Sequence, residues 1–306
     1  MTPRTSLVAL LVALFFGTGC SIRQLAVNRV ADALAGGTGT FASDNDPELV
    51  RDALPFSLKL MESLLAESPR HVGLLTALAS GFTQYGYAFI EQSADRIEDH
   101  DLDRARELRL RARNLYLRGR DYALRGIEAR HPGFTRRLDA SPAHAVTVAR
   151  KEDVPLLYWA AASWAAAIAQ SKDDPALVGD LSRVEALIDR ALALDPSWNR
   201  GAIHALLVPF EMSRATGEGD PVLRATRHFD RALELGEGRL AGPLVSYAEA
   251  VCIPTEDRAR FESLLRQALA LDVDADPSSR VENLVVQRRA AWLLQRIDEL
   301  FLPPLE

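Results

Sequence analysis

The chain has very few cysteines. Among its 306 residues only Cys20 and Cys252 are cysteines, so at most one internal disulfide bond could form. Cys20 ends an N-terminal apolar segment where processing would consume it, and Cys252 would then have no partner. We therefore expect no intramolecular disulfide.

The chain also lacks an excess of basic residues. Its 36 lysines and arginines are outnumbered by 42 acidic residues, for a net charge of −6. The folded body then has no electrostatic reason to bind nucleic acid or an anionic membrane surface, and we expect no nucleic-acid partner. With 48% apolar and 25% charged residues, the chain can bury a large core in one or two packed helical units.

Recognisable catalytic motifs are absent as well. The sequence contains no G-x-S-x-G, P-loop or dinucleotide fingerprint, and its six histidines show no HExxH or other metal-ligand spacing. Asp44, Asp46, Asp173 and Asp174 stand where helix caps are needed, so we favour a capping role over an acid–base pair. We predict no catalytic residue, metal or cofactor.

The N-terminus has the pattern of an export signal. Arg4 precedes an apolar run, Ser6 to Phe16, that is too short to span a bilayer. Gly17-Thr18-Gly19-Cys20 resembles a bacterial lipobox, in which a small residue precedes a cysteine that becomes acylated. Because Gly17 stands where lipoboxes usually place Leu, ordinary cleavage near this point is the alternative.

We favour lipidation, with residues 1–19 as the signal peptide and 20–40 as a lipidated tether containing a short helix over 21–34 and a glycine-rich break after it. Two or three acyl chains on Cys20 would hold the protein at a membrane, since one chain alone binds weakly. Ser21 after the cysteine resembles the outer-membrane rather than the inner-membrane sorting class. The expected location is the bacterial periplasm, lipid-anchored, at the outer rather than the inner membrane.

The rest of the chain is predicted to be all-α, with roughly 11–13 helices. Aspartate-proline pairs are typical of helix starts, because the carboxylate caps the free amides and proline fits the first turn. Five such pairs occur, at Asp46-Pro47, Asp174-Pro175, Asp195-Pro196, Asp220-Pro221 and Asp276-Pro277. Pro55 predicts a kink or one-turn break in the first long helix. Val146 to Val148 and Val251 to Ile253 are the brief strand candidates.

Degenerate internal repeats indicate a helical-repeat architecture. RALALD at 190–195, RALELG at 231–236 and QALALD at 267–272 are spaced by 41 and 36 residues, near the 34-residue tetratricopeptide (TPR) period. Ala191 and Pro196 match the small residue and the proline of a TPR. Residues 41–306 are therefore predicted to form a single TPR-like right-handed superhelical array, with a helix near 280–302 as its cap.

A helix predicted over about Asp101 to Arg130 carries nine arginines. They could form a surface for anions or for an acidic partner. We favour a solvated helix face whose arginines pair with acidic neighbours. Those neighbours are Glu98, Asp103, Glu107, Asp121 and Glu128.

An aromatic and polar set is the candidate ligand pocket. Aromatic residues recur in the helices around residues 82–89 and 158–164, and Asn199-x-Gly201-x-x-His204 would add polar groups, with Gly201 allowing close approach of another backbone. Packing in a hydrophobic core is the alternative for the aromatics, and a buried polar contact is the alternative for Asn199 and His204. The candidate pocket residues are Tyr85, Tyr87, Tyr158, Trp159, Trp164, Asn199 and His204.

Several stretches carry a family resemblance. SDNDPELVRDALPFSLKLMESLL, GLLTALASGFTQYGYAF, RARNLYLRGRDYALRGIEARHPGF, DVPLLYWAAASWAAAIAQSKDDP and RAAWLLQRIDELF together extend over nearly the whole mature chain. They resemble TatT, the TPR-fold lipoprotein associated with certain TRAP transporters. The resemblance implies a homotrimer with a pore-like channel in each protomer that docks the periplasmic solute-binding component.

The resemblance thus predicts a non-enzymatic, membrane-anchored protein. It would assist uptake or handover of a small hydrophobic or organic-acid ligand, together with a periplasmic TRAP solute-binding protein. Two alternatives remain: an all-α periplasmic enzyme with a carboxylate-lined cleft, and a ligand-free TPR envelope scaffold.

Overall fold

The computed structural model describes residues 28–34, 36 and 38–301, and every regular element in this part of the chain is a helix. The all-α prediction is confirmed for these residues, but the expected roughly 11–13 helices are too few, because the described residues from 38 onward form sixteen α-helices, several of them one turn long. Neither brief strand candidate is a strand. Val146–Val148 forms a 3-10 turn, Val251 and Cys252 end the π-helical segment Ala248–Cys252, and Ile253 lies in the turn that follows. The predicted signal peptide and Cys20 lie outside the described residues.

The helices are numbered from residue 38 onward. The first group comprises α1 (Thr38–Ala42), α2 (Pro47–Glu67), α3 (Val72–Tyr85), α4 (Gln92–Ile97), α5 (Leu102–Arg130), α6 (Phe134–Ala140), α7 (Pro142–Ala145) and α8 (Val154–Ala169). The second comprises α9 (Pro175–Val178), α10 (Leu181–Leu194), α11 (Trp198–Ser213), α12 (Pro221–Leu235), α13 (Gly242–Tyr247), α14 (Arg258–Ala270), α15 (Arg280–Gln295) and α16 (Ile297–Leu300). A first π segment, Gly86–Glu91, joins α3 to α4, and the second, Ala248–Cys252, continues α13.

Most aspartate-proline pairs start helices as predicted. The Asp46 carboxylate accepts the backbone N–H groups of Glu48 and Leu49 at 3.0 and 3.2 Å, and α2 follows. Asp174, Asp220 and Asp276 cap the elements after them in the same way. Asp195 is the exception, because it ends α10 and accepts the Ser197 hydroxyl at 2.9 Å instead of starting a helix.

Two local features near the N-terminus differ from their predictions. Helix α2 runs through Pro55 without a break, so of the predicted kink or break, the break does not occur. Gly36 is helical and α1 occupies Thr38–Ala42, within the stretch predicted to be a glycine-rich break. Residues 28–34 are helical, in agreement with the short helix predicted there.

The arginine-rich helix combines a charged face, as predicted, with a face that packs into two cores. Asp101 caps α5. Several arginines of this helix pair with the expected acidic residues, for example Arg109 with Glu98 at 2.5 Å and Arg104 with Glu107 at 2.6 Å. Glu128 instead accepts backbone N–H groups of the following turn, such as Thr135 at 3.0 Å.

Three hydrophobic cores follow one another along the chain. The N-terminal core is formed by α2, α3 and α5, the middle core by the helices from α5 to α11, and the C-terminal core by the helices from α11 to α16. The alanines of the three repeat motifs, Ala191, Ala232 and Ala268, are fully buried, which is the close-packing role that the repeats predicted for a small residue. The right-handed TPR-like array itself stays a prediction.

Helix α15 returns to the start of the chain. Its Val285 belongs to the N-terminal core and its Val286 to the C-terminal core, so α15 lies between the two. Four arginines fix it against the N-terminal elements: Arg280 to the Ser43 carbonyl (2.7 Å), Arg288 to Glu48 (2.7 Å), Arg289 to Asp95 (2.6 Å) and Arg296 to Asp99 (3.1 Å). Helix α15 therefore packs the C-terminal core against the N-terminal elements. The sequence had predicted only that a helix in this region caps the end of the array.

Candidate functional site

Two of the predicted pocket residues lie together in an aromatic triad. Tyr158 and Trp159 of α8 make an edge contact with ring centroids 4.9 Å apart, and the Tyr158 ring lies 4.7 Å from that of Trp198. All three side chains are only partly buried. Asn199 follows Trp198 directly, so it too lies near this triad.

Two other predicted pocket residues, Trp164 and Tyr85, lie elsewhere. Trp164 is buried, with its indole N–H donating to Asp180 at 3.2 Å and the Arg120 guanidinium over its ring. Tyr85 is buried in the N-terminal core.

His204 is buried too, and its Nδ1 lies 2.8 Å from Nδ1 of His228. Burial, and then the charge of His228, lowers the pKa of His204 to about 4.

Tyr87 occupies a different environment, in the first π segment. It is 40% exposed, yet burial raises its pKa, with Glu249 as the next cause. Glu282 on α15 is likewise exposed while burial is the largest cause that raises its pKa. Side chains that are accessible to solvent while protein surrounds them on most sides lie in a recess of the protein surface.

We call this recess the chamber. Its wall is defined by six side chains that are enclosed in this way or act on one another electrostatically: Tyr87, Glu91, Tyr158, Glu249, Glu282 and Arg289.

One face of α15 spans the chamber. Glu282 and Arg289 are seven residues apart, which places them on the same helix face about 10 Å from each other. Glu282 acts on Tyr158, and Arg289 on Tyr87, so the two residues mark opposite ends of the chamber. Val285 and Val286 lie between these ends, near the same face.

The triad end contains an unusual backbone turn. Asn199, Arg200 and Gly201 have φ angles of 45°, 57° and 89°, so three successive residues are left-handed. Asn199 and His204 therefore do not lie on one regular helix. A Cβ on Gly201 would lie 3.2 Å from Cα of Ala232, which confirms that glycine allows close backbone approach there.

The turn directs Arg200 toward the polar groups of this end. Its guanidinium donates to Asp276. The positive charge of Arg200 also lowers the pKa of Glu282, but burial has the larger effect and raises that pKa overall. The triad end therefore combines aromatic surface with one carboxyl group and one guanidinium.

The other end is rich in carboxyl groups. Arg289 binds Asp95 at 2.6 Å and Glu249 at 2.7 Å, and the hydroxyl of buried Tyr116 donates to Glu91. Burial raises the pKa of Glu91 to about 7, and the charge of Asp95 contributes to the rise. A carboxyl group that changes charge near neutral pH thus faces the chamber.

Both π segments supply polar groups to the chamber. The first carries Tyr87 and Glu91, and the second carries Glu249. A Cβ on Gly86 would lie 2.9 Å from the Tyr116 ring, so glycine is needed where the first segment begins. π segments are rare and occur often at functional sites.

Sequence reasoning missed most of the chamber. Glu91, Trp198, Glu249, Glu282 and Arg289 were not predicted as site residues. One feature of the sequence could have indicated it. Glu282 and Arg289 are seven residues apart, so they share a helix face with the apolar residues Val285 and Val286 between them.

Some site types find no support among the described residues. No group of three or more His, Cys, Asp or Glu side chains there could hold a metal ion. Within the same residues, no helix is both long enough and apolar enough to cross a membrane.

Comparison with known proteins identifies a family and a relative. The family model described as TRAP transporter T-component matches residues 43–301. A protein of Treponema pallidum (strain Nichols), named there as an uncharacterized protein, is 30% identical over 302 residues, which cover 93% of this chain and 94% of the relative.

Proposed function

The chain belongs to the TRAP transporter T-component family, and from that premise we propose that it is a lipid-anchored periplasmic protein that assists ligand handover to the transporter's solute-binding component. Family membership implies a transport component associated with other parts of a TRAP transporter, rather than an enzyme. The solute-binding component as direct partner, the acyl anchor on Cys20, the outer membrane and the homotrimer are our proposals beyond that.

The chamber is the observation that carries the handover proposal. Ligand sites are concave and mostly apolar, with a few polar groups that orient the ligand. The triad end offers the rings of Tyr158, Trp159 and Trp198 beside Glu282. We propose that the nonpolar part of a small ligand lies on these rings, and that its polar part contacts one of the polar ends.

The chamber's charges refine the ligand class expected from the sequence. Asp95 and Glu249 together neutralise Arg289, and Glu91 and Glu282 add further carboxyl groups. A ligand with several negative charges would be repelled. We therefore favour a hydrophobic ligand, or an acid that has a single carboxyl group and is otherwise uncharged.

Two tryptophans of α8 provide a matched test. Trp159→Ala should weaken binding to the purified solute-binding component, or reduce the small molecules that copurify with the protein. Its loss of stability should be below the about 3–5 kcal/mol typical of a fully packed tryptophan.

Trp164→Ala is the control, because Trp164 is 5% exposed and its indole is held by Asp180, away from the triad. It should show the larger loss of stability with normal binding. If Trp159→Ala costs as much stability as Trp164→Ala and binding is unchanged, then Trp159 serves only as core and the triad is not the ligand site.

An enzyme with a carboxylate-lined cleft is the second candidate function. The observation in its favour is Glu91, whose pKa of about 7 suits proton transfer near neutral pH. A Glu91→Gln variant that folds normally but loses a measurable hydrolytic or isomerase activity would support it. Family membership favours transport.

A further inference from the structure

The tryptophans of the chain differ in whether a cation lies over their rings. The Arg120 guanidinium lies 4.9 Å from the ring centroid of Trp164, and two guanidiniums lie 4.5 and 4.8 Å from that of Trp292. A cation within about 6 Å of an aromatic ring is attracted to its face. Among the described residues, no lysine or arginine lies over Trp159 or Trp198 of the triad. These two rings therefore lack a cation supplied by the protein.

The triad forms a continuous aromatic wall at its end of the chamber. The ring centroid of Tyr158 lies 4.9 Å from that of Trp159 and 4.7 Å from that of Trp198. All three side chains keep part of their surface accessible to solvent. Because the face of an aromatic ring carries partial negative charge, such a wall attracts cations as well as nonpolar groups.

Glu282 is a carboxyl group without a partner at the same end. It makes no hydrogen bond or ion pair with any described residue, and it is the charge that acts on Tyr158. The Arg200 guanidinium acts on Glu282 in turn, but it already donates to the Asp276 carboxylate and, at 3.5 Å, to the Gly236 carbonyl. A carboxylate in a recess without a counter-ion is stabilised by a cation that reaches it.

Neighbouring contacts fix the position of this carboxyl group. The next residue, Asn283, is 1% exposed; its Oδ1 accepts the backbone N–H of Ala241 and its Nδ2 donates to the Arg239 carbonyl, both at 2.9 Å. A Cβ on Gly242 would lie 3.5 Å from Oε1 of Glu282, so the carboxyl group lies against the start of α13. Glu282 is therefore presented at a defined place in the chamber.

We propose that the triad end of the chamber also binds small organic cations, compounds that carry an alkylated ammonium group. The methyl groups of such an ammonium pack on the triad rings, its charge is attracted to the ring faces, and Glu282 supplies the counter-charge. This ligand class goes beyond the hydrophobic and single-carboxyl ligands of the proposed function. It rests on the triad as a ligand surface, and it does not depend on the role in transport.

Calorimetric titration of the full-length protein with choline tests the proposal. The protein is kept in a maltoside detergent, which has no ammonium group, and sodium chloride holds the ionic strength constant. The neutral control ligand is 3,3-dimethylbutan-1-ol, which has the shape of choline with carbon in place of the charged nitrogen. The titrations are made at pH 8, because burial raises the pKa of Glu282. We expect saturable binding of choline, and binding of the neutral alcohol that is weaker by about tenfold or more.

Three variants locate the site. Glu282→Gln and Trp198→Leu should each weaken choline binding by about tenfold, since one removes the counter-charge and the other a ring face. Glu282→Gln should leave binding of the neutral alcohol unchanged. Glu234→Gln is the matched control and should bind choline as the wild type does, because Glu234 is exposed on α12 and pairs with Arg231. Circular dichroism confirms that the variants are folded.

Three results would overturn the proposal: no saturable choline binding, equal binding of choline and the neutral alcohol, or equal choline binding by Glu282→Gln and Glu234→Gln. Its failure is distinguishable from that of the proposed function. Choline binding by a protein that forms no complex with a solute-binding component would support this proposal and contradict the proposed function. A complex that Trp159→Ala weakens, without choline binding, would do the reverse.

Discussion

Replacing Glu91 by glutamine should stabilise the protein by an amount that grows as the pH rises from about 4.5 to 7 and stays constant above that range. Burial raises the pKa of Glu91 from 4.5 to about 7, so the folded state holds this proton over a range in which the unfolded chain has lost it. The contribution of Glu91 to stability is therefore complete below about pH 4.5 and is lost as the pH rises through 7.

The size of the effect follows from the two pKa values. A difference of about 2.5 units corresponds to about 3 kcal/mol at most, since one unit is about 1.4 kcal/mol. Because the charges of Asp95, Arg289 and Glu249 also act on Glu91, the observed value should be smaller. Glutamine has the shape of a protonated glutamate and still accepts the Tyr116 hydroxyl, so it removes the pH dependence without removing that hydrogen bond.

Urea unfolding of wild type and Glu91→Gln at pH 5 and pH 8 measures the difference. The two proteins should have similar stability at pH 5, and the variant should be the more stable one at pH 8.

Glu98→Gln is the control with the opposite sign. The hydrogen bond from Arg109 holds the pKa of Glu98 below its ordinary value, so this variant should lose stability at pH 8. If Glu91→Gln is no more stable than the wild type at pH 8, then Glu91 is not an enclosed carboxyl group and the acidic end of the chamber is wrongly assigned.

Three further predictions concern other parts of the molecule. His204 has a pKa near 4 in the folded state against 6.5 when free, so stability should fall by up to about 3 kcal/mol between pH 6.5 and 4, and His204→Gln should reduce that slope in urea unfolding. Gly86→Ala should cost about 1–3 kcal/mol, measured the same way, because its Cβ would lie 2.9 Å from the Tyr116 ring. Cys20→Ala should leave the protein in the soluble periplasmic fraction or unprocessed, and membrane retention like that of the wild type would contradict the acyl anchor.

Helix starts could be predicted because their causes are local. The Asp46 and Asp220 carboxylates cap amides two or three residues away, which the sequence displays directly. Asp195 has the same neighbour but a different role, because the left-handed turn at residues 199–201 delays the next regular helix. That turn depends on the close packing of Gly201 against Ala232, which a local pattern does not reveal.

The chamber could be predicted only in part for a similar reason. Tyr158 and Trp159 stood out because aromatic residues are conspicuous in sequence, and Trp198 joins them from about 40 residues away. Arg289 meets Asp95 across 194 residues, and this pairing exists only because α15 returns to the N-terminal elements. Periodicity identified α15 as a helix but carried no information on where it packs.

The most direct test of the central claim is binding of the purified protein to the purified solute-binding component of a TRAP transporter from the same organism. The account predicts a saturable complex that Trp159→Ala weakens and Trp164→Ala does not. Absence of binding to every TRAP solute-binding protein of that organism, tested with and without extracted small molecules, would contradict it.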